Sequence, residues 1–140
     1  MRQGPDQSAA EGTRQAPKLH VLVVDDEPAI LRMLDLVLQQ RGFDVTTAAG
    51  GAEAVELYRR RPGVFALVLL DVQMPDPDGP ETLAALRTID PHVRCCFMSG
   101  YTGEYSVEQL LALGAAHVFE KPLPGLAELA EKLRDVACSP

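Results

Sequence analysis

Val64-Phe65-Ala66-Leu67-Val68-Leu69-Leu70-Asp71 is the stretch whose reading decides the fold. Its apolar run is unbroken and closes on one acid. The length suits a strand rather than a membrane span, and the lack of alternation means that both faces are buried. Such strands belong to parallel sheets covered by helices on both sides. The flanks agree. Upstream, Arg61-Pro62-Gly63 stops a helical stretch at residues 52–60. Downstream, a Pro-rich loop at residues 74–80 leads to a helix carrying Leu83 and Leu86, broken by Asp90-Pro91.

The same unit repeats in both directions. Residues 19–24 form an apolar run ending in Asp25-Asp26, and Ile30, Met33, Leu34, Val37 and Leu38 then follow helical spacing up to Gly42. Residues 43–47 read as a second strand and residues 93–98 as a fourth, ending in Ser99-Gly100. Val107, Leu110 and Leu111 mark a helix closed by Gly114. A short fifth strand at residues 116–119 leads to Lys121-Pro122, and Leu126, Leu129, Ala130, Leu133 and Ala137 give the last helix. Five strands alternating with five helices predict an α/β fold. It is a (βα)5 doubly wound parallel sheet of flavodoxin-like order 2-1-3-4-5, with helices on both faces.

A chain of 140 residues, 46% hydrophobic and 24% charged, supports one globular core. Residues 1–17, rich in Gln, Gly, Ser, Ala and Pro, read as a disordered tail, which leaves 18–140 as the folded domain. The formal charge of −7 argues against direct nucleic-acid binding. No apolar run reaches the roughly 20 residues of a bilayer span, and no secretory h-region opens the chain, so a cytoplasmic location is expected. Cys95, Cys96 and Cys138 form neither a disulfide framework nor a zinc pattern and read as reduced thiols. His20, His92 and His117 lack metal spacing, Met33, Met74 and Met98 read as packing residues, and Glu128, Glu131 and Asp135 read as a solvated helix face.

The polar residues at the strand ends carry the chemistry. Asp25 and Asp26 follow strand one, Asp71 strand three, Ser99 strand four and Lys121 strand five. In an open parallel sheet these ends share one edge, where ligands bind. Three carboxylates brought together there repel. A like-charged pair about 4 Å apart costs on the order of 4 kcal/mol at an effective dielectric near 20. Mg²⁺, a hard cation that takes carboxylate and phosphate oxygens, relieves that conflict. With the Lys121 ammonium and the Ser99 hydroxyl, the set matches the needs of phosphoryl transfer to a carboxylate nucleophile.

Val23-Val24-Asp25-Asp26-Glu27-Pro28, Leu69-Leu70-Asp71-Val72-Gln73-Met74-Pro75 with Asp78-Gly79, Met98-Ser99-Gly100-Tyr101 and Lys121-Pro122 together resemble the receiver domain of bacterial two-component response regulators. The closest type is the single-domain, chemotaxis-regulator-like one. The resemblance runs from about Lys18 to the end. It implies a phosphorylation-activated receiver in a phosphorelay, with Asp71 as phosphoacceptor, Ser99 as switch hydroxyl and Lys121 as phosphoryl contact. Asp25, Asp26, Asp71 and the backbone carbonyl of Gln73 would hold Mg²⁺, and the peptide before Pro122 would be cis. It also implies a sensor histidine kinase or histidine phosphotransfer protein as donor. An unidentified output protein would bind the face of helix four, strand five and helix five, because no output domain is expected after the last helix. Homodimerisation on phosphorylation is left open. The chain would not be an enzyme with a separate turnover substrate. Two positions depart from the pattern or modulate it. Val118 stands where an aromatic residue often reports the switch, with Phe119 on the opposite strand face. Tyr101 could close over the site, and slow self-dephosphorylation is expected from it.

Other readings exist for each residue. Asp25 or Asp26 could cap the following helix, Asp71 could be a solvated strand end, Ser99 a turn residue and Lys121 a surface lysine. Two other functions compete with the leading one. The first is a receiver-like docking module independent of phosphorylation. The second is an aspartyl-phosphate phosphohydrolase, which usually needs an acid two residues beyond the nucleophile, where Gln73 stands. A nucleotide-binding protein is weaker still, since no G-x-G-x-x-G or Walker A pattern follows strand one.

Overall fold

The computed structural model describes residues 18–100 and 104–139. The expected tail at residues 1–17 and the expected role of Tyr101 therefore lie outside the described residues. The strands are β1 (Leu19–Val24), β2 (Phe43–Ala48), β3 (Leu67–Asp71), β4 (Cys95–Ser99) and β5 (His117–Glu120). The helices are α1 (Pro28–Gln40), α2 (Gly51–Arg60), α3 (Gly79–Ile89), α4 (Val107–Ala112) and α5 (Leu126–Cys138). All strand pairs are parallel, in the order β2-β1-β3-β4-β5. This is the doubly wound sheet that the apolar runs predict.

Side-chain alternation divides the core into two layers. Leu22 and Val24 of β1, Val68 and Leu70 of β3, and Cys95 and Phe97 of β4 pack with α2, α3 and α4 through Ala54, Tyr58, Leu83, Leu86 and Leu110. Val21 and Val23, Leu67 and Leu69, and Cys96 and Met98 pack with α1 and α5 through Leu34, Leu38, Leu129, Leu133 and Val136. Burial on both faces stabilises each strand, at roughly 1.5–3 kcal/mol for every fully buried Leu or Val. Cys95 and Cys96 are free thiols in opposite layers, and burial pushes the Cys96 thiol up to about 12. Val118 packs against the first layer and Phe119 lies in the second, as their spacing predicts.

Local chemistry sets the helix boundaries. Pro28 opens α1, and Gly42, at φ 92°, follows its end. A reciprocal capping box of Asp78 and Glu81 starts α3, and one of Ser106 and Gln109 starts α4. Some apolar positions with the right spacing stay exposed: Met33 on α1, Leu111 on α4 and Leu126 on α5. For Met33 the packing expectation fails: Leu34 and Leu38 turn into the core, while Met33 lies at the margin of the stripe in a shallow apolar surface groove with Ile30, Leu123 and Leu126. Among the described residues, no helix is long and apolar enough to cross a membrane.

Candidate phosphoryl and metal site

The carboxyl ends of β1, β3, β4 and β5 meet at one edge. The sheet register continues through that edge: the Val72 N–H donates to the Met98 carbonyl and the Lys121 N–H to the Ser99 carbonyl. Asp71 is thus the last residue of β3 and Ser99 the last of β4, while Asp25 and Lys121 stand one residue past β1 and β5. Residues separated by 96 positions come into contact here.

Asp25 is almost fully buried and Asp71 nearly so, whereas Asp26 is exposed. Each of the three offers a carboxylate oxygen lying within 4.8 Å of those of the other two. The Lys121 ammonium donates to Asp71 Oδ1 at 3.2 Å and to Asp25 Oδ2 at 3.5 Å. The Glu27 N–H donates to Asp25 Oδ1 at 2.9 Å. Neither acid caps α1: its N-cap is Glu27, which has no side-chain capping bond. Asp25 instead turns back into the corner, and the capping alternative is set aside. The surface-lysine alternative for Lys121 fails as well, since its ammonium joins two buried acids.

The electrostatics record the crowding. Burial, then the charge of Asp25, raises Asp71 to about 6, against the pull of Lys121 and of the Gln73 N–H. Burial also raises Asp25. For Lys121, burial acts downward, but Asp71 and Asp25 more than reverse it and hold the ammonium charged. One ammonium does not neutralise three acids. The surplus negative charge, borne entirely on oxygen donors, fits a hard divalent cation with room for water and phosphate oxygens. The residues present therefore suit Mg²⁺.

Ser99 is buried at the same edge, and its hydroxyl donates to the Gly100 carbonyl at 3.2 Å. Alternation explains why it makes no bond to the acids: Asp71 continues the Leu67–Leu69 side of β3, while Ser99 continues the Cys95–Phe97 side of β4. Gln73 is exposed in the loop that leaves β3. Pro122 follows a cis peptide, as does Pro77.

Two supporting residues escape a reading of the strand ends. Gly79 sits so close to β3 that a Cβ there would come within 2.5 Å of the Asp71 carbonyl oxygen and 2.8 Å of the Val72 Cα. The Asp78-Gly79 pair in the sequence was the available signal. Tyr105 donates its hydroxyl to Asp78 Oδ2 at 3.1 Å, which ties the approach to α4 to the start of α3. No sequence spacing announces that contact.

Residues 21–134 match the response regulator receiver domain family. The chain is 35% identical over 83% of its length to the sensor kinase CckA of Brucella abortus, covering 12% of that protein. It is 34% identical over 73% of its length to sporulation initiation phosphotransferase F of Bacillus subtilis, covering 81% of it. The chain spans a quarter or less of the length of the first curated relatives it matches. Among solved structures, it superposes on a chain of the CheX-CheY-BeF3-Mg+2 complex from Borrelia burgdorferi with a TM-score of 0.77 and 31% identity. That match covers 84% of this chain and 88% of the other.

Proposed function

The chain belongs to the response regulator receiver domain family, and from that premise we propose that Asp71 is its phosphoacceptor. A receiver of this family is activated by phosphorylation within a two-component system. The observation that carries the residue assignment is the Lys121 ammonium held between Asp71 and Asp25 beside the third acid, Asp26. In the proposed reaction, an Asp71 carboxylate oxygen attacks the phosphorus of a phosphohistidine on a kinase or phosphotransfer protein. An O–P bond forms, the N–P bond breaks, and the imidazole leaves with its electron pair and takes up a proton. With its acid near 6, Asp71 is mostly ionised at neutral pH and able to attack.

Asp25, Asp26, Asp71 and the Gln73 carbonyl would hold Mg²⁺. When bound, the ion supplies positive charge to the phosphoryl oxygens and offsets repulsion among the acids. Lys121 exchanges part of its contact with Asp25 for a phosphoryl oxygen. Ser99 swings from the Gly100 carbonyl to donate to another, which shifts a two-state equilibrium of the β4–α4 region. The domain, taken as residues 18–140, then signals through altered binding of a partner protein at α4, β5 and α5, without turning over a separate substrate. A cytoplasmic setting goes with a phosphohistidine donor.

Incubation with acetyl phosphate and Mg²⁺, followed by intact mass, tests the assignment. The wild-type chain should gain one phosphoryl group and Asp71→Asn none. A full gain in the variant would overturn it.

A further inference from the structure

The sheet has one open edge beside the phosphoryl corner. Among the described residues, β5 pairs with β4 alone, so its outer edge has no neighbouring strand there. A groove of about 680 Å³ runs between this edge and α5, lined by all four residues of β5 and continuing to Lys121 and Pro122. The β2 edge of the sheet lies at the far side of the molecule.

The lining carries more acids than bases. Glu120 from β5 and Glu128, Glu131 and Asp135 from α5 border the groove, all of them exposed. The α5 acids stand at i, i+3 and i+7, which places them along one stripe of the helix. These residues form the solvated helix face expected of them, and the same stripe is one wall of the groove. Two cations share the lining, Lys121 and Lys132. Lys121 is already engaged with Asp71 and Asp25, so its charge is spent within the phosphoryl corner.

An unpaired strand edge accepts an extended segment through main-chain hydrogen bonds, and side-chain charge then selects the segment. Four carboxylates repel nucleic acid and anionic lipid and attract a cationic chain, raising its association rate at low salt. We infer that this groove docks a Lys/Arg-rich segment of a partner protein, laid along the open edge of β5. The inference rests on reading the chain as a phospho-switch that signals through this face, and it adds the chemistry of the partner.

The test uses the full chain, ¹⁵N-labelled, with a fluorescein-labelled peptide that alternates Lys and Thr and a counterpart that alternates Glu and Thr. The Lys peptide should shift amides of residues 117–121 and 128–135. Its affinity should fall at least about tenfold in the Glu128→Lys, Glu131→Lys double variant, fall by less in Glu131→Gln, and stay within about twofold in Asp44→Lys, on the opposite edge strand. Shifts centred elsewhere, equal binding of the Glu peptide, or an equal loss in Asp44→Lys would overturn the inference. Amide spectra of the variants report their folding. Intact mass after acetyl phosphate treatment keeps the two claims apart. A wild-type chain that takes no phosphoryl group defeats the phospho-switch reading, whereas one that is phosphorylated yet does not bind the Lys peptide at this groove defeats only the docking claim.

Discussion

At the scale of single residues, the site is a balance between burial, repulsion and one ammonium. Asp71 loses water on folding and faces Asp25, so its folded value lies near 6 against 3.8 for the free side chain. Between these values the folded chain binds a proton that the unfolded chain has released. Stability present below about pH 4 is therefore lost as pH rises to about 6. Denaturant midpoints of the metal-free protein should fall across this window relative to Asp71→Asn, and parallel profiles for the two proteins would contradict the account. Lys121→Met should act in two ways. It removes the partner of two buried acids, and it removes the proposed phosphoryl contact. Phosphorylation by acetyl phosphate should slow by about 10²-fold or more, given what a single charged donor contributes to a developing anion.

At the scale of elements, what matters is how strand ends and loops are held. Gly79 admits no side chain because the β3 backbone at Asp71 and Val72 occupies the space. Gly79→Ala should cost more than about 2 kcal/mol in chemical denaturation, in the range of overpacked core positions, and should lower the phosphorylation rate by displacing Asp71. A variant with wild-type stability and rate would mean that the α3 approach does not position the acid. Away from the site, Tyr58 is buried in α2 and donates to Asp90 at the end of α3 at 2.8 Å. Tyr58→Phe removes one of that carboxylate's two donors, the His92 N–H at 2.9 Å remaining, and should cost about 0.5–1.5 kcal/mol while leaving phosphorylation unchanged.

At the scale of the whole molecule, the fold follows from which residues can leave water. The unbroken run before Asp71 and the matching runs before Asp25 and Ser99 had to become strands covered on both sides, and the topology of such sheets then gathers their ends. Asp25, Asp26, Asp71, Ser99 and Lys121 were legible for that reason. The exposure of Met33 and Leu126 was not, since helical spacing names a stripe but not where its partner surface stops. Nor was the Tyr105–Asp78 contact, which joins two loops whose meeting depends on the finished packing. Cation binding should stabilise the entire domain, because the unfolded chain has no such cluster: Mg²⁺ at a hundred times its dissociation constant adds about 2.7 kcal/mol. The most direct measurement is peptide mapping of the chain after phosphoramidate treatment, with Mg²⁺ and with excess EDTA. The account predicts one phosphoryl group, on the peptide containing Asp71, formed only when the metal is present. Modification at another residue, or an equal yield in EDTA, would contradict it.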